Sequence, residues 1–368
     1  MIKFFNQRKN DVVLDNCKKY FKKDLWVNGH IVEQCELKIK NYLKLNHNVI
    51  TCNSGSDALL LSLLLSQKKN KKKDIYITTP ISYLASASIP KFLNLNLIYV
   101  DVEKDNFIIS LDKLENFLLK CPKKIKKRIN GIINVELFGY TCDLLKLSKI
   151  AKKHKLNLIG DCAQSFGTKY KNISSMDFYD YAATSFYPTK ILSCYGDGGA
   201  LFFKEKYEDV FLLKNNGHSK KNKINCEKLG INSRLDSIQA FVIISELKKL
   251  NGVLNKRKQI NNFYNKKLKK NIKRPKILDN KIKANNYIYP LLIEKEKQKK
   301  FKKLMERKNI EFKKFYSKLL PDNKLLKPII NTKLSNSKKT INTMFCIPNH
   351  EHLTIKNSND IIEVLNEL

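Results

Sequence analysis

Short apolar runs of strand length recur through the first two thirds of the sequence with helical segments between them, and this alternation narrows the possible folds. Runs at 49–52, 75–79, 97–101, 132–138, 156–159, 182–186 and 200–203 read as strands, and 57–66 reads as a buried helix. Parallel neighbours need long crossovers, so such a pattern builds a mainly parallel sheet with helices on both faces, an α/β architecture. From 235 to 250 apolar residues return at helical spacing, and the helix is expected to continue past Gly252 through 263–268. Lysine-rich turns at 269–274 and 279–286 then precede a short strand at 287–293 and a helix at 297–308. This shift divides the 368 residues into an expected large unit, 1–254, and a smaller α+β unit, 255–368.

Charge is the feature most open to misreading. Lys and Arg total 71 against 34 acidic residues, a net charge of +37 that could signal a polyanion partner. Only Arg8, Arg128, Arg234, Arg257, Arg274 and Arg307 are arginines, however, and the lysines are accompanied by abundant asparagine and isoleucine. Codon bias toward Lys, Asn and Ile accounts for the excess, with lysine clusters such as 68–73 read as solvated loop charges. Nucleic acid is not expected as a partner. The nine cysteines include no CxxC pair and no close histidine, so neither a zinc site nor a disulfide framework is expected. No apolar run reaches the roughly 18 residues needed to span a bilayer, and the N-terminus lacks the apolar core of a signal peptide. A cytoplasmic enzyme without a membrane segment is expected.

The chemistry-bearing residues cluster between 161 and 199. Asp161-Cys162-Ala163-Gln164 follows a strand, Ser185-Phe186-Tyr187-Pro188-Thr189-Lys190 ends another, and Gly196-Asp197-Gly198-Gly199 makes a tight turn. A lysine at the end of an apolar strand can be kept partly neutral, act as a Schiff-base nucleophile and then move protons. A carboxylate emerging at the carboxyl end of a strand suits the pyridine nitrogen of an aldehyde cofactor, which points to pyridoxal phosphate. Asp161 could instead cap the turn that follows it. Ser54-Gly55-Ser56-Asp57 lies between a strand and a helix, where backbone amides point at whatever docks there, although Ser-Gly-Ser before a helix is also an ordinary cap. Cys162 and Cys194 read as small packing residues.

These segments, with Pro80-Ile81-Ser82-Tyr83 and Asn232-Ser233-Arg234-Leu235-Asp236-Ser237-Ile238-Gln239-Ala240, give the chain its resemblance to the DegT/DnrJ/StrS family of nucleotide-sugar aminotransferases. The resemblance is strong to about residue 250 and weak beyond. It implies the aspartate-aminotransferase fold (fold type I), pyridoxal phosphate on Lys190, and Asp161 at the pyridine nitrogen. It further implies Gln164 at the cofactor's phenolic oxygen and Tyr83 stacked on the ring. Phosphate would be held by the Ser56 and Asp57 amides and Ser185, with Gly55 also among the cofactor-binding residues. Asn232 would cross to a neighbouring subunit in a homodimer with shared sites, and Arg234 would face the nucleotide-sugar or pair with a carboxylate such as Asp236.

The activity so implied is conversion of a keto group on a nucleotide-linked sugar to an amine, with glutamate as donor, for surface polysaccharide or another glycoconjugate. Gln164-Ser165-Phe166-Gly167 and residues 232–236 look most like carbon-3 aminotransferases, while Pro80-Ile81-Ser82-Tyr83 is similar to some carbon-4 enzymes. The chain departs from the family's His-Tyr-Pro motif, where Phe315-Tyr316-Ser317 keeps Tyr316 as a substrate-binding candidate but loses the histidine. Cys346-Ile347-Pro348-Asn349-His350 resembles a late structural segment of the family. Two alternatives stand beside this reading: a sugar dehydratase, which in the family carries histidine in place of Lys190, and a non-catalytic anion-binding scaffold.

Overall fold

The computed structural model describes residues 1–6, 15, 17–18, 25–69, 72–220, 224–275 and 279–368. Residues 70 and 71 of the lysine cluster at 68–73 therefore lie outside the described residues. Seven strands form one sheet: β1 (Asn48–Cys52), β2 (Ile75–Thr78), β3 (Asn96–Tyr99), β4 (Ile129–Val135), β5 (Asn157–Asp161), β6 (Tyr181–Ser185) and β7 (Gly199–Phe203). Their spatial order is β1-β7-β6-β5-β4-β2-β3. The pairs β6/β5, β5/β4, β4/β2 and β2/β3 are parallel, while β7 runs antiparallel to both β1 and β6.

This sheet is an α/β layer buried on both faces, as parallel strands require. Alternate residues feed two separate cores: Ile132, Leu158, Ala182 and Phe202 join one, and Ile133, Ile159, Ala183 and Phe203 the other. Against these faces pack α1 (His30–Leu43), α2 (Gly55–Lys69), α3 (Ala85–Phe92), α4 (Leu111–Lys120), α5 (Leu144–His154) and α6 (Tyr207–Lys214). The alternation of strands implied these crossovers, but their positions, apart from α2, were not legible in it. The expected strand at 132–138 instead runs from Ile129 to Val135. Its end is set by a 3-10 turn at Leu137–Gly139, where Phe138 takes a left-handed φ of 57°.

The long helix extends further than its apolar core, as α7 (Ser237–Lys267), and Gly252 sits in it with open space where a Cβ would project. The proposed division between 254 and 255 falls inside this helix. Its second half contributes Ile260 and Tyr264 to a third core with β8 (Tyr289–Leu292), α8 (Lys295–Arg307), β9 (Met344–Ile347) and α10 (Ile355–Asn366). Buried Arg257 of α7 donates to the Tyr287 carbonyl at 2.9 Å and to the Asn349 carbonyl, and pairs with Glu351 at 2.9 Å. In the same region the Tyr264 hydroxyl donates to the Pro348 carbonyl at 3.0 Å, and His350 Nε2 lies 3.0 Å from the Lys3 carbonyl. The segment 346–350 thus ties both chain ends to α7.

A second tie joins the segment at 335–343 to the sheet. Asp101, just beyond β3, accepts from the amides of Asn336 and Ser337 at 3.0 and 2.8 Å. Both amides lie in the first turn of α9 (Ser335–Thr343), where they lack helical partners. The Ser337 hydroxyl and Lys113 Nζ, the latter at 2.6 Å, complete the cage. Burial works against the Asp101 charge, but the donors from Lys113, Ser337 and Asn336 outweigh it and hold the carboxyl below its ordinary value. A depressed folded value means that the stabilisation is present above the unfolded value, about 3.9, and fades as pH falls through the folded one. Asp101→Asn is therefore expected to cost about 2 kcal/mol at neutral pH, read as a lower denaturant midpoint. The gap between variant and parent should shrink below about pH 4; equal midpoints at neutral pH would contradict this account of the joint.

Candidate active site

All the expected functional segments before residue 200 meet at one edge of the sheet. The parallel strands β2, β4, β5 and β6 end there, and β7, being antiparallel, begins there opposite the end of β1: Cys52 and Ser185 both pair with Gly199. Ligands of open α/β sheets collect at such an edge, outside the carboxyl ends of the strands. Here it holds a cavity of about 540 Å³. Gly55, Ser56, Tyr83, Asp161, Gln164, Ser185, Lys190 and Tyr316 all line it, as do Phe5, Ser82, Glu136, Asp197, Tyr287 and Phe315.

One wall is a cradle of backbone. A Cβ on Gly55 would lie 2.8 Å from Ser185 Cβ, and one on Gly199 would lie 2.4 Å from the Ser54 carbonyl. Neither position can carry a side chain without displacing backbone, so the turn into α2 is pressed against the ends of β6 and β7. The Ser54 hydroxyl caps α2 by accepting from the Asp57 amide at 3.1 Å, and the Ala58 amide bonds to the Ser54 carbonyl at 3.0 Å. That leaves the Gly55 and Ser56 amides at the mouth of the helix, beside the Ser185 hydroxyl, in a place suited to an anion. The Asp57 side chain is turned away, accepting from the buried Ser233 hydroxyl at 2.6 Å.

Asp161 ends β5 at 5% exposure, and it does cap the turn that follows, from a buried position on the cavity wall. Its Oδ2 accepts from the Ser86 hydroxyl at 2.5 Å and its Oδ1 from the Ala163 amide at 3.2 Å. Burial pushes its carboxyl above the ordinary carboxylate range, while Ser86, the Ala163 amide and the Lys190 ammonium pull it back. Lys190 lies on the loop after β6, which is closed by backbone bonds from Cys194 to Phe186 and from Phe186 to Gly198, at 2.7 and 2.8 Å. From α7, Gln239 Oε1 accepts from the Tyr195 amide at 2.8 Å and braces the same loop. Lys190 Nζ sits 5.6 Å from the centre of the Tyr287 ring. Burial brings its ammonium down to about 8, against the opposing pull of Asp161. Cys162 and Cys194 are buried, and burial raises both thiols, Cys194 to about 12, as fits packing residues.

Tyr83 is 65% exposed on the cavity wall, so it is not a core residue. Gln164 accepts from the Phe138 amide at 2.8 Å and donates to the Tyr316 hydroxyl at 3.3 Å. Asn285 anchors the backbone around it, donating to the Gln164 and Phe166 carbonyls, both at 3.0 Å. Phe315, where the family motif would put histidine, joins Phe4, Phe5 and Phe138 in an aromatic wall with centroid separations of 5.5 to 6.2 Å. Three expected residues do not reach this cavity: Asp57, whose amide and carboxylate are both engaged elsewhere, Asn232 and Arg234. Asn232 is exposed, and Arg234 lines a separate hollow of about 410 Å³ with Lys214, His218 and Lys220.

Sequence reasoning missed Phe5, Ser86, Glu136, Tyr287 and Asn285. Ser86 carried one signal, its four-residue spacing from Ser82 before a helix. The others depend on contacts distant in sequence: Glu136 accepts from Ser175 and Tyr179 hydroxyls, each at 2.8 Å, and Phe5 is placed by the Phe4 amide bonding to Glu311 at 2.8 Å.

The model of the DegT/DnrJ/EryC1/StrS aminotransferase family matches residues 8–366. The UDP-4-amino-4,6-dideoxy-N-acetyl-beta-L-altrosamine transaminase of Campylobacter jejuni strain 81-176 is 28% identical, over 99% of this chain and 96% of that protein. The UDP-2-acetamido-2-deoxy-3-oxo-D-glucuronate aminotransferase of Pseudomonas aeruginosa is 30% identical, over 60% of this chain and 59% of that one. Among solved structures, a DegT DnrJ EryC1 StrS aminotransferase from Brucella abortus superposes with a TM-score of 0.87 at 27% identity, covering 97% of this chain and 94% of its own.

The environment of Lys190 makes a prediction that needs no ligand. Labelling of the protein by an amine-reactive reagent, followed residue by residue across pH, should reach half its maximum at Lys190 near pH 8. Surface lysines should lag by about two units. A Lys190 that titrates with the surface lysines would contradict this half-buried setting.

Proposed function

The chain belongs to the DegT/DnrJ/EryC1/StrS aminotransferase family, whose cofactor is pyridoxal phosphate, and from that premise we propose that it aminates a keto group on a nucleotide-linked sugar in the cytoplasm, with glutamate as donor and surface polysaccharide or another glycoconjugate as destination. The observation that carries the reading is the meeting of Lys190, Asp161 and the Gly55-Ser56 cradle in one cavity. When bound, pyridoxal phosphate supplies an aldehyde for a lysine amine and a ring that takes up electrons.

The residues present fit that group. Lys190 would hold its aldehyde carbon, and Asp161, buried and with room on each oxygen for another donor, would pair with the ring nitrogen. The Gly55 and Ser56 amides and the Ser185 hydroxyl would hold its phosphate, with the Asp57 backbone beside them, while Tyr83 would cover the ring and Gln164 meet its phenolic oxygen. With its ammonium brought down to about 8, Lys190 would take the proton from the donor's carbon and pass it to the cofactor's aldehyde carbon, and in the acceptor half would move a proton from there to the sugar carbon. Tyr316 lines the side of the cavity where the sugar would enter, and retention of Lys190 in place of histidine speaks against a dehydratase.

A phosphate dianion calls for more donors than this subunit offers. Exposed Asn232 stands next to Ser233, which is bonded to Asp57 at the base of the cradle. A homodimer in which Asn232 of each subunit completes the other's phosphate site accounts for its outward position, and Arg234 would meet the nucleotide across the same junction. The position of amination is read as carbon 3 from residues 164–167 and 232–236. A second reading, carbon 4, is favoured by the near-complete span of the Campylobacter jejuni relative, whose name specifies a 4-amino sugar.

Incubation with nitrogen-labelled glutamate and a panel of UDP-, GDP- and dTDP-linked 3-keto and 4-keto sugars should transfer label to one class. Exclusive labelling of 4-keto sugars would overturn the carbon-3 reading, and a deoxygenated product without label would revive the dehydratase. Lys190→Ala should lower turnover by about a thousandfold or more. Mixing Lys190→Ala with Asn232→Ala subunits should restore part of the activity, since one site of each mixed dimer has both residues intact. No recovery in demonstrated mixed dimers would refute the shared site.

A further inference from the structure

Behind the buried carboxylate lies a second hydroxyl. Asp161 Oδ2 accepts from Ser86 Oγ at 2.5 Å, and Ser86 Oγ stands 2.6 Å from Ser82 Oγ. All three side chains are buried, Ser86 completely, and Ser82 also lines the cavity. Chemistry fixes the direction of this chain. An ionised carboxylate only accepts, so the single Ser86 proton goes to Asp161, and the proton between the two serines belongs to Ser82. Ser82 holds Ser86 in the orientation that serves Asp161.

The surroundings show why that service matters. The titratable groups around Asp161 are Lys190 from the loop after β6, Cys162 next along the chain, and Tyr316 from the loop that follows α8, with Glu136 from the end of β4 in the same cavity lining. Only Lys190 among them carries positive charge, and it is itself partly deprotonated near pH 8. Hydrogen bonds must therefore counter the cost of burying the carboxylate. Each Asp161 oxygen has one donor from the protein, Ser86 on Oδ2 and the Ala163 amide on Oδ1. A short hydroxyl-to-carboxylate bond is among the stronger such contacts.

We propose that Ser86, oriented by Ser82, is a positioning residue that keeps Asp161 ionised and aimed at the ring nitrogen of the bound cofactor. This rests on the assignment of Asp161 made above. Without the Ser86 hydroxyl the carboxylate would take up a proton at higher pH, and a protonated acid no longer offers the ring N–H a charged acceptor.

The test follows cofactor retention against pH, measured as absorbance remaining after desalting, in the parent, Ser86→Ala, Ser86→Thr and Ser82→Ala proteins. Ser86→Ala should move the acid limb of retention upward by about one pH unit, Ser86→Thr should restore it, and Ser82→Ala should move it by less. In an Asp161→Asn background, Ser86→Ala should add no further pH shift, because no carboxylate remains to titrate; a packing role would show the same loss in both backgrounds. An unmoved limb in Ser86→Ala, or an equal shift in the Asp161→Asn background, overturns the proposal. If Ser86→Ala does not fold, Ser82→Ala carries the test, with an upward shift at unchanged thermal midpoint as support and no shift as refutation. A parent protein that retains no cofactor at any pH overturns the site reading and this inference together, whereas normal retention in the parent with no effect of either serine overturns this inference alone.

Discussion

The site depends on how closely the turn into α2 lies against the ends of β6 and β7. Gly55 faces Ser185 and Gly199 faces the Ser54 carbonyl at separations that admit no Cβ on either glycine. That contact brings the amino end of a fifteen-residue helix to the edge where Asp161 and the Lys190 loop emerge. Backbone amides, a buried carboxylate and a partly neutral lysine then surround one cavity, although their residues span more than 130 positions in sequence. Substitution at either glycine would widen the turn and pull the amides away from the lysine, harming the site without touching any ionisable group.

The opposite wall comes from the far end of the chain. Arg257 is buried on α7 and joins the Tyr287 carbonyl to the 348–351 segment, while Asn285 pins the backbone of Gln164 and Phe166. Breaking a buried, hydrogen-bonded ion pair by removing one partner is costly, so this arrangement fixes Tyr287 and residues 349–351 against α7. Phe5 reaches the cavity because the Phe4 amide is held by Glu311 and the Lys3 carbonyl by His350. Both ends of the chain therefore shape the aromatic wall, and this wall, with Phe315 in it, is where a sugar would meet apolar surface.

The parts legible in the sequence are those that local pattern determines. Strand and helix alternation revealed the sheet, and Lys190, Asp161 and the Ser54-Gly55-Ser56 turn stood out because each lies at or just beyond the end of a strand and carries chemistry unlike its surroundings. Strand ends moved by a few residues where side chains overrode pattern, as at Phe138, whose left-handed backbone ends β4 early. Ser86, Tyr287, Asn285 and Glu136 were illegible for a different reason: their partners lie far along the chain, and no periodicity marks a contact between residues 136 and 179. Asn232 and Arg234 were marked by motif yet stand outside the cavity, a position for which the proposed homodimer would account.

The most direct measurement is chemical. Protein reconstituted with pyridoxal phosphate and reduced with borohydride should carry the cofactor on a single peptide, the one containing Lys190, and Asp161→Ala should weaken that capture. Cofactor fixed at surface lysines with Lys190 unmodified would contradict the account.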